Sequence, residues 1–208
     1  QVIETGEMVT ADEGIRPDSS MESLAKLKPA FDPENGQVTA ANSSQITDGA
    51  SAILIMSEEK ARSLGLKPKA YIVSYAYSGQ DLVEELLLGP AFCIPQVLDK
   101  AGLKLSDIGV IEMHEAFASQ IIGNIRCLAS DTFCRERLGR DRAVGEIDID
   151  KLNVYGGSLS LGHPFGATGG RLITTCINRM VDEGQQYGIV TGCGAGALGN
   201  AILFENAN

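Results

Sequence analysis

The sequence has no tryptophan, only two histidines and no apolar run of about 18 residues, which argues against a membrane-spanning helix. Basic residues are also scarce. The chain has 17 of them against 27 acidic residues, so its net charge is −10. A broad nucleic-acid-binding surface needs excess positive charge, and we therefore expect no nucleic acid among the partners. The remaining composition, 44% hydrophobic and 21% charged, is typical of an ordinary folded domain.

The cysteines lack the patterns of a disulfide framework or a zinc site. There are five, an odd number, and none forms a Cys-x-x-Cys pair. Free thiols indicate a reducing compartment, and we expect no metal. Cys127 and Cys176 lie on apolar helix faces and are predicted to be core residues. The chain starts with Gln1 instead of methionine, so we expect it to begin inside a longer protein.

Apolar runs and helical periodicities alternate along the chain, which predicts an α/β layered sheet that ends in a hairpin. Residues 135–150 are charged and are predicted to form a surface loop. A short helix is predicted within residues 20–27. The predicted strands cover residues 50–56, 71–77, 110–113, 187–191 and 201–205. The other predicted helices cover residues 57–64, 91–101 and 117–128, and a last one runs from the loop around His163 to about residue 184.

Both histidines and one cysteine occupy positions that suit chemistry. His163 lies in a glycine-rich bend, His114 follows the predicted strand 110–113, and Cys193 sits in a glycine-rich turn. Ligand sites of open α/β sheets gather beyond the carboxyl ends of strands, so we expect these residues to converge. Imidazole, thiol and free amide groups together suit acyl transfer, and glycine-turn amides or a nearby imidazolium can lower a thiol pKa. Each residue also has a structural interpretation, as a hydrogen-bonded histidine or part of a tight hairpin.

Several segments, taken in order, resemble the thiolase family, and the resemblance covers nearly the whole chain. The boxes are Arg16-Pro17-Asp18, residues 24–31, residues 42–50, His114-Glu115-Ala116-Phe117, Gly162-His163-Pro164, and Cys193 with its glycines. The His114 box is the histidine version of the family's Asn-Glu-Ala-Phe motif. That version is similar to the branch of β-subunits in trifunctional complexes.

The resemblance implies a fold that duplicates one βαβαβαββ unit, an α/β layered structure whose mixed sheet has helices on both faces. By this resemblance, residues 1–47 are the tail of a CoA-binding loop domain. Residues 48–68 are the last strand and helix of the N-terminal unit, and residues 69–208 are the C-terminal unit.

The resemblance also implies an activity. Thiolases cleave 3-ketoacyl-CoA with CoA, or run the reverse condensation, through a nucleophilic cysteine. By resemblance, His163 faces Cys193 and His114, activates that nucleophile and helps to hold the thioester oxygen, and Cys193 moves protons. His114, in place of the usual asparagine, and the amide of Ala195 hold an oxyanion. Further residues match CoA-contacting or tunnel-lining positions: Arg16, Ser23 and Ser44 for CoA, Phe31 and Phe117 for the tunnel.

None of the five cysteines matches the family's nucleophile, which belongs to the first half of the fold. We therefore expect the chain to be inactive by itself and to need that N-terminal half. The other implied partners are acyl-CoA, CoA as co-substrate with no permanently bound cofactor, and either a homo-oligomer or a trifunctional-type complex. The implied pathway is fatty-acid β-oxidation. We expect a mitochondrial location, with a peroxisomal-type organelle or the cytoplasm as alternatives.

Two other functions stay open. One is a biosynthetic acetoacetyl-CoA thiolase, and the other is a non-catalytic thiolase-like chain that binds acyl-CoA or acts as a scaffold.

Overall fold

A computed structural model describes residues 5–12 and 14–208. Residues 1–4 and 13, which belong to the predicted loop-domain tail, lie outside the described residues. The helices are α1 Met21–Leu24, α2 Glu58–Ser63, α3 Gly89–Ala101, α4 Ala118–Leu128, α5 Asp131–Leu138, α6 Ser158–Leu161 and α7 Thr168–Asp182. The strands are β1 Ala70–Gly79, β2 Val110–Met113, β3 Tyr187–Gly194 and β4 Leu198–Asn206. No helix in the described ranges is both long and apolar enough to cross a membrane.

The four strands form one mixed sheet in the order β1-β4-β3-β2. β2 and β3 are parallel, because the chain between them crosses over through helices. β4 is antiparallel to both β3 and β1, and β3 with β4 forms the predicted terminal hairpin. A further strand of the expected unit is reduced to one parallel bridge between Ile111 and Leu152. The predicted α/β class is confirmed.

Alternate residues of each strand face two different cores, which is why helices lie on both faces of the sheet. On one face, Ile111, Ile189 and Leu203 pack with residues of α3 and α4. On the other face, Val110 and its strand neighbours Val190 and Phe204 pack under α7, against Leu172, Cys176 and Met180. The sheet is thus the middle layer between helices, as predicted.

The helix boundaries that the sequence predicted well have local capping signals. Ser57 accepts a hydrogen bond from the Lys60 amide at the start of α2. Gly65 follows that helix with φ +68°, and Gly102 ends α3 with φ +67°. Gly89 begins α3 against the backbone of Gly199 in β4, so closely that a Cβ on either glycine would clash. This contact fixes α3 on the sheet.

Three expectations from the sequence are wrong in detail. The predicted buried strand at residues 50–56 has no regular secondary structure and pairs with no described strand, and Leu54 is 77% exposed. Among the described residues, no neighbouring strand is present with which this segment could pair and bury its apolar side chains. The predicted loop at 135–150 is helical as far as Leu138, because Ser130 caps α5 and Phe133 packs on Phe92. The helix predicted within 20–27 is only the four residues of α1.

A buried ion pair joins the sheet to α7 and generates a first prediction. Oε1 of Glu112 in β2 lies 2.8 Å from Nη1 of Arg179 in α7, and the two side chains are 0% and 1% exposed. Arg179→Met leaves the Glu112 carboxylate buried without this partner, and we expect it to lower the free energy of unfolding by about 3–5 kcal/mol. The measurement is urea unfolding at neutral pH.

Arg140→Met is the matched control, because it breaks the more exposed pair with Asp99 and should cost about 1 kcal/mol or less. Equal losses in the two variants would contradict the prediction.

Candidate active site

The structure brings the two histidines into direct contact. The ring centroids of His114 and His163 lie 4.0 Å apart, with an interplanar angle of 36°. His114 directly follows β2, and its amide donates to the carbonyl of Thr191 in β3 at 2.9 Å. The amide of His163 donates to the carbonyl of Gln45 at 2.8 Å. The predicted convergence of the two imidazoles is therefore observed.

The carboxylate of Glu115 ties the end of β2 to the glycine-rich loop. It accepts from the Leu159 amide at 3.0 Å and from the Asn153 side-chain amide at 2.5 Å. A Cβ at Gly157 would collide with this carboxylate, so glycine is required there. The negative charge also lies at the start of α6, where the free amides of a helix attract anions.

Asn153 extends the hydrogen bonding of β2 with its side chain. Its Oδ1 accepts from the Met113 amide at 2.8 Å, and its Nδ2 donates to the Met113 carbonyl at 2.8 Å. Asn153 has φ +49°, a left-handed conformation that asparagine adopts more readily than most residues. The strand end that carries His114 is thereby fixed from two sides.

Both imidazoles are held in their neutral form near pH 7. Burial is the main cause that lowers the pKa of His114 from 6.5 to about 4, and the charge of His163, once that ring is protonated, and that of Arg171 lower it further. Burial and Arg171 also lower the pKa of His163. Each Nδ1 contacts a hydroxyl: Ser158 Oγ lies 2.9 Å from that of His114, and Thr168 Oγ1 lies 2.7 Å from that of His163.

Cys193 lies on β3, opposite Gly199 of β4. Burial raises the pKa of its thiol, the opposite of the lowering that glycine amides or an imidazolium would cause. Within the described residues, no hydrogen bond links the thiol to either histidine, so the expected approach of His163 to Cys193 stays a prediction. Ala195 is exposed in the turn between β3 and β4.

The other four cysteines belong to the structural core. Cys93 and Cys134 are fully buried, and Cys127 packs against the same core. Cys176 belongs to α7 and lies on the face that packs against the sheet, where burial strongly raises the pKa of its thiol. In the described part of the chain, no group of three or more His, Cys, Asp or Glu side chains is arranged to hold a metal ion.

Residues 14–45, called the first segment below, form an open cleft of about 750 Å³ against the glycine-rich loop. Arg16 and Ser23 line it, as predicted for two residues of one site, together with Leu159 and Ser160 from α6. The lining does not include Ser44, whose amide donates to the Ala116 carbonyl at 2.9 Å. The remaining two predicted residues meet each other: the rings of Phe31 and Phe117 are edge-to-face, with centroids 6.2 Å apart.

Three polar residues of the site were not predicted from the sequence: Ser158, Thr168 and Arg171. Ser158 lies five residues before His163 and Thr168 five residues after it, and both sit among glycines. Arg171 is the only basic residue between Lys151 and Arg179. A search for hydroxyls and isolated charges near the rare histidines is the signal that could have found them.

The fold and the site together define a class of protein. A mixed α/β sheet that presents two neutral histidines and a thiol near the ends of neighbouring parallel strands suits acyl transfer. The family model "Thiolase, C-terminal domain" matches residues 66–206, and the model "Thiolase, N-terminal domain" matches residues 2–59. This chain belongs to the thiolase family.

Sequence and structural relatives agree with this family. A 3-ketoacyl-CoA thiolase from Yersinia enterocolitica is 51% identical over 197 residues, which cover 95% of this chain and 45% of that protein. Human mitochondrial 3-ketoacyl-CoA thiolase has a TM-score of 0.81 at 32% identity, over 99% of this chain and 48% of that one. The human protein in complex with CoA has a TM-score of 0.79 at 33% identity, covering 95% of this chain and 45% of that one.

One structural relative is named for a different activity. Acetyl-CoA acetyltransferase from Bacillus anthracis has a TM-score of 0.79 at 37% identity, over 94% of this chain and 45% of that one. The chain spans about half the length of the curated relatives it matches.

The low pKa of His114 generates a prediction about stability against pH. The unfolded chain takes up a proton on His114 as the pH falls from 6.5 to about 4, whereas the folded chain does not. The free energy of unfolding therefore falls with pH across this window, by on the order of 3 kcal/mol from this residue.

Urea unfolding near pH 7 and near pH 4.5 measures this loss, and His114→Asn is the comparison because asparagine does not titrate. The variant should lose less stability between the two pH values. The same loss in both proteins would contradict the assignment.

Proposed function

We propose that this chain is the C-terminal part of a 3-ketoacyl-CoA thiolase, an acetyl-CoA C-acyltransferase of fatty-acid β-oxidation. The reaction converts a 3-ketoacyl-CoA and CoA into acetyl-CoA and an acyl-CoA shortened by two carbons. The observation that carries the proposal is the contact of two neutral imidazoles, His114 and His163, beside a cleft lined by Arg16 and Ser23. The similarity to named 3-ketoacyl-CoA thiolases supports it.

His163 is proposed as the base that activates the nucleophilic thiol. Thr168 Oγ1 donates to the Pro164 carbonyl at 3.3 Å, so its lone pair accepts from His163 Nδ1 at 2.7 Å. This arrangement leaves Nε2 of His163 unprotonated and able to take the proton of a thiol. The lowered pKa keeps that nitrogen free near pH 7.

Cys193 is proposed to move the second proton. Because burial raises its pKa, the thiol carries a proton near pH 7 and can give it to the leaving acetyl-CoA carbanion. The resulting thiolate then takes a proton from incoming CoA, whose sulfur attacks the acyl-enzyme. One proton is given and one is recovered, so Cys193 returns to its starting state.

The thioester oxygen needs hydrogen-bond donors as negative charge develops on it. His114 is the proposed side-chain donor, in ring contact with the base. The amide of Ala195, exposed in the β3–β4 turn, is the proposed backbone donor. Both stand at the ends of the paired strands β2 and β3.

CoA is proposed as co-substrate, with no permanently bound cofactor. Arg16 and Ser23 line the cleft that would receive it, and Ser44 lies in the chain between two lining residues, Ser43 and Gln45. The edge-to-face pair of Phe31 and Phe117 would border the pantetheine and acyl tunnel. The CoA complex of the human relative supports CoA binding in this fold.

The nucleophilic cysteine is proposed to lie outside these 208 residues, in an N-terminal half. Three of the five cysteines belong to or pack against the two cores, Cys134 is fully buried, and Cys193 has a different proposed role. We propose that the whole protein works as a homo-oligomer or in a trifunctional-type complex. The mitochondrial location also stays a prediction. The human mitochondrial relative supports it, whereas the 51% identical relatives come from bacteria; localisation in the source cells tests it.

A biosynthetic acetoacetyl-CoA thiolase is the alternative, favoured by the 37% identity to an acetyl-CoA acetyltransferase. Assays of the whole protein with C4 and C16 ketoacyl-CoA separate the two. Turnover of C16 substrate supports the degradative enzyme, and activity restricted to C4 supports the alternative. No turnover of either substrate would favour a non-catalytic thiolase-like chain.

The proposal predicts that His163→Ala and Cys193→Ala each reduce kcat of the whole protein by about 10²–10⁴-fold, because each removes a proton-transfer group. Thiolysis of a 3-ketoacyl-CoA, followed by loss of the substrate's absorbance, is the measurement.

Cys127→Ala is the control, because this cysteine packs on the core away from the histidine pair, and its kcat should be near that of the parent. Normal turnover by either site variant would rule out the assigned role.

A further inference from the structure

Arg171 is a half-buried arginine that forms no ion pair in the described structure. It sits in the first turn of α7, and its one recorded side-chain hydrogen bond runs from Nη2 to Ser158 Oγ at 3.2 Å. Its Nε and Nη1 are buried without a hydrogen-bond partner among the described residues. Glu112 and Glu115 are near enough to act on its charge, but their recorded bonds go elsewhere. An ion pair therefore does not explain why this arginine is half-buried.

The chemistry of Arg171 restricts what Ser158 can do. A guanidinium only donates, so Ser158 Oγ accepts from it with a lone pair. A serine hydroxyl has a single proton, and the other partner of Ser158 Oγ is His114 Nδ1 at 2.9 Å. The oxygen keeps a second lone pair, but among the described residues the proton has no acceptor other than His114 Nδ1, so it points to Nδ1. Ser158 is 0% exposed, so water does not compete for it.

We propose that Arg171 is a positioning residue that acts through Ser158 to hold His114 in the tautomer with its proton on Nε2. This chain of contacts fixes which nitrogen of His114 is a donor. The low pKa of His114 supports the proposal, because a neutral ring has a single N–H to place. The groups that act on this ring are Arg171, Ser158 and His163.

The neighbouring imidazole is set the opposite way. Thr168 passes its proton to the Pro164 carbonyl and accepts from His163 Nδ1, which leaves Nε2 of His163 without a proton. Two rings in contact thus present one donor and one acceptor. If the proposed thiolase function holds, this difference separates the oxyanion donor from the base, and Arg171 is one of its causes.

The test is nitrogen-15 NMR of the 208-residue chain labelled at histidine, near pH 7.5. The chain has only two histidines, so each ring is assigned by substitution of the other. We expect His114 to show one tautomer, protonated at Nε2. In Arg171→Met and in Ser158→Ala, that single pattern should be lost, with a protonated Nδ1 appearing. Thr168→Val should change only the signals of His163.

Arg126→Met is the matched control, because Arg126 is exposed on α4, and both rings should keep their signals. The decisive comparison is the double variant. If Arg171 acts through Ser158, Arg171→Met should add nothing further once Ser158 is alanine. If Arg171→Met shifts the His114 tautomer equally in both backgrounds, a relay through Ser158 is wrong.

The proposal is also overturned if Ser158→Ala leaves His114 in a single Nε2-protonated state, a result that does not depend on the folding of the Arg171 variant. These readouts need no turnover, so they stay valid if the proposed function fails. In an active whole protein, Arg171→Met should lower kcat more than it changes KM, because the donor acts on the developing oxyanion.

Discussion

The geometry of the site depends on the contacts that the Glu115 carboxylate makes with the glycine-rich loop. This carboxylate fills the space beside Gly157 and bonds the amide at the start of α6, a helix of four residues that is too short to be stable alone. Through it, the end of β2 and the glycine-rich loop become one unit, and the distance between the two imidazoles follows. The first segment then attaches to both parts, through Gln45 on His163 and Ser44 on Ala116.

The parts of the fold that could be predicted are those whose signals are local. β2 matches its predicted bounds, and α3 ends at Gly102, because an apolar run and a left-handed glycine act within a few residues. The strand predicted at 50–56 failed because its burial depends on a partner strand, which no local pattern supplies. α5 was missed because its charges face outward while Phe133 packs inward.

The candidate site shows the same division. The histidines could be identified because the chain has only two, each placed after a strand or inside a glycine-rich bend. Their hydroxyl partners could not, because Ser158 and Thr168 acquire a role only when the loop folds back on the rings. The raised pKa of Cys193 could not be predicted from the sequence either, because it comes from burial. Burial is a property of the whole sheet, and its effect outweighs that of the local turn.

The unpaired segment at 50–56 is connected to the histidine loop. Ser51 Oγ donates to the Ala167 carbonyl at 2.8 Å, and Gly49 lies so close to Pro164 that a Cβ there would be 2.6 Å from its ring. Leu54 and Ile55 are exposed a few residues further on. A chain that packed on this segment and held it in place would therefore restrain the loop beside His163 as well, so the rigidity of the imidazole pair depends on a segment outside the sheet.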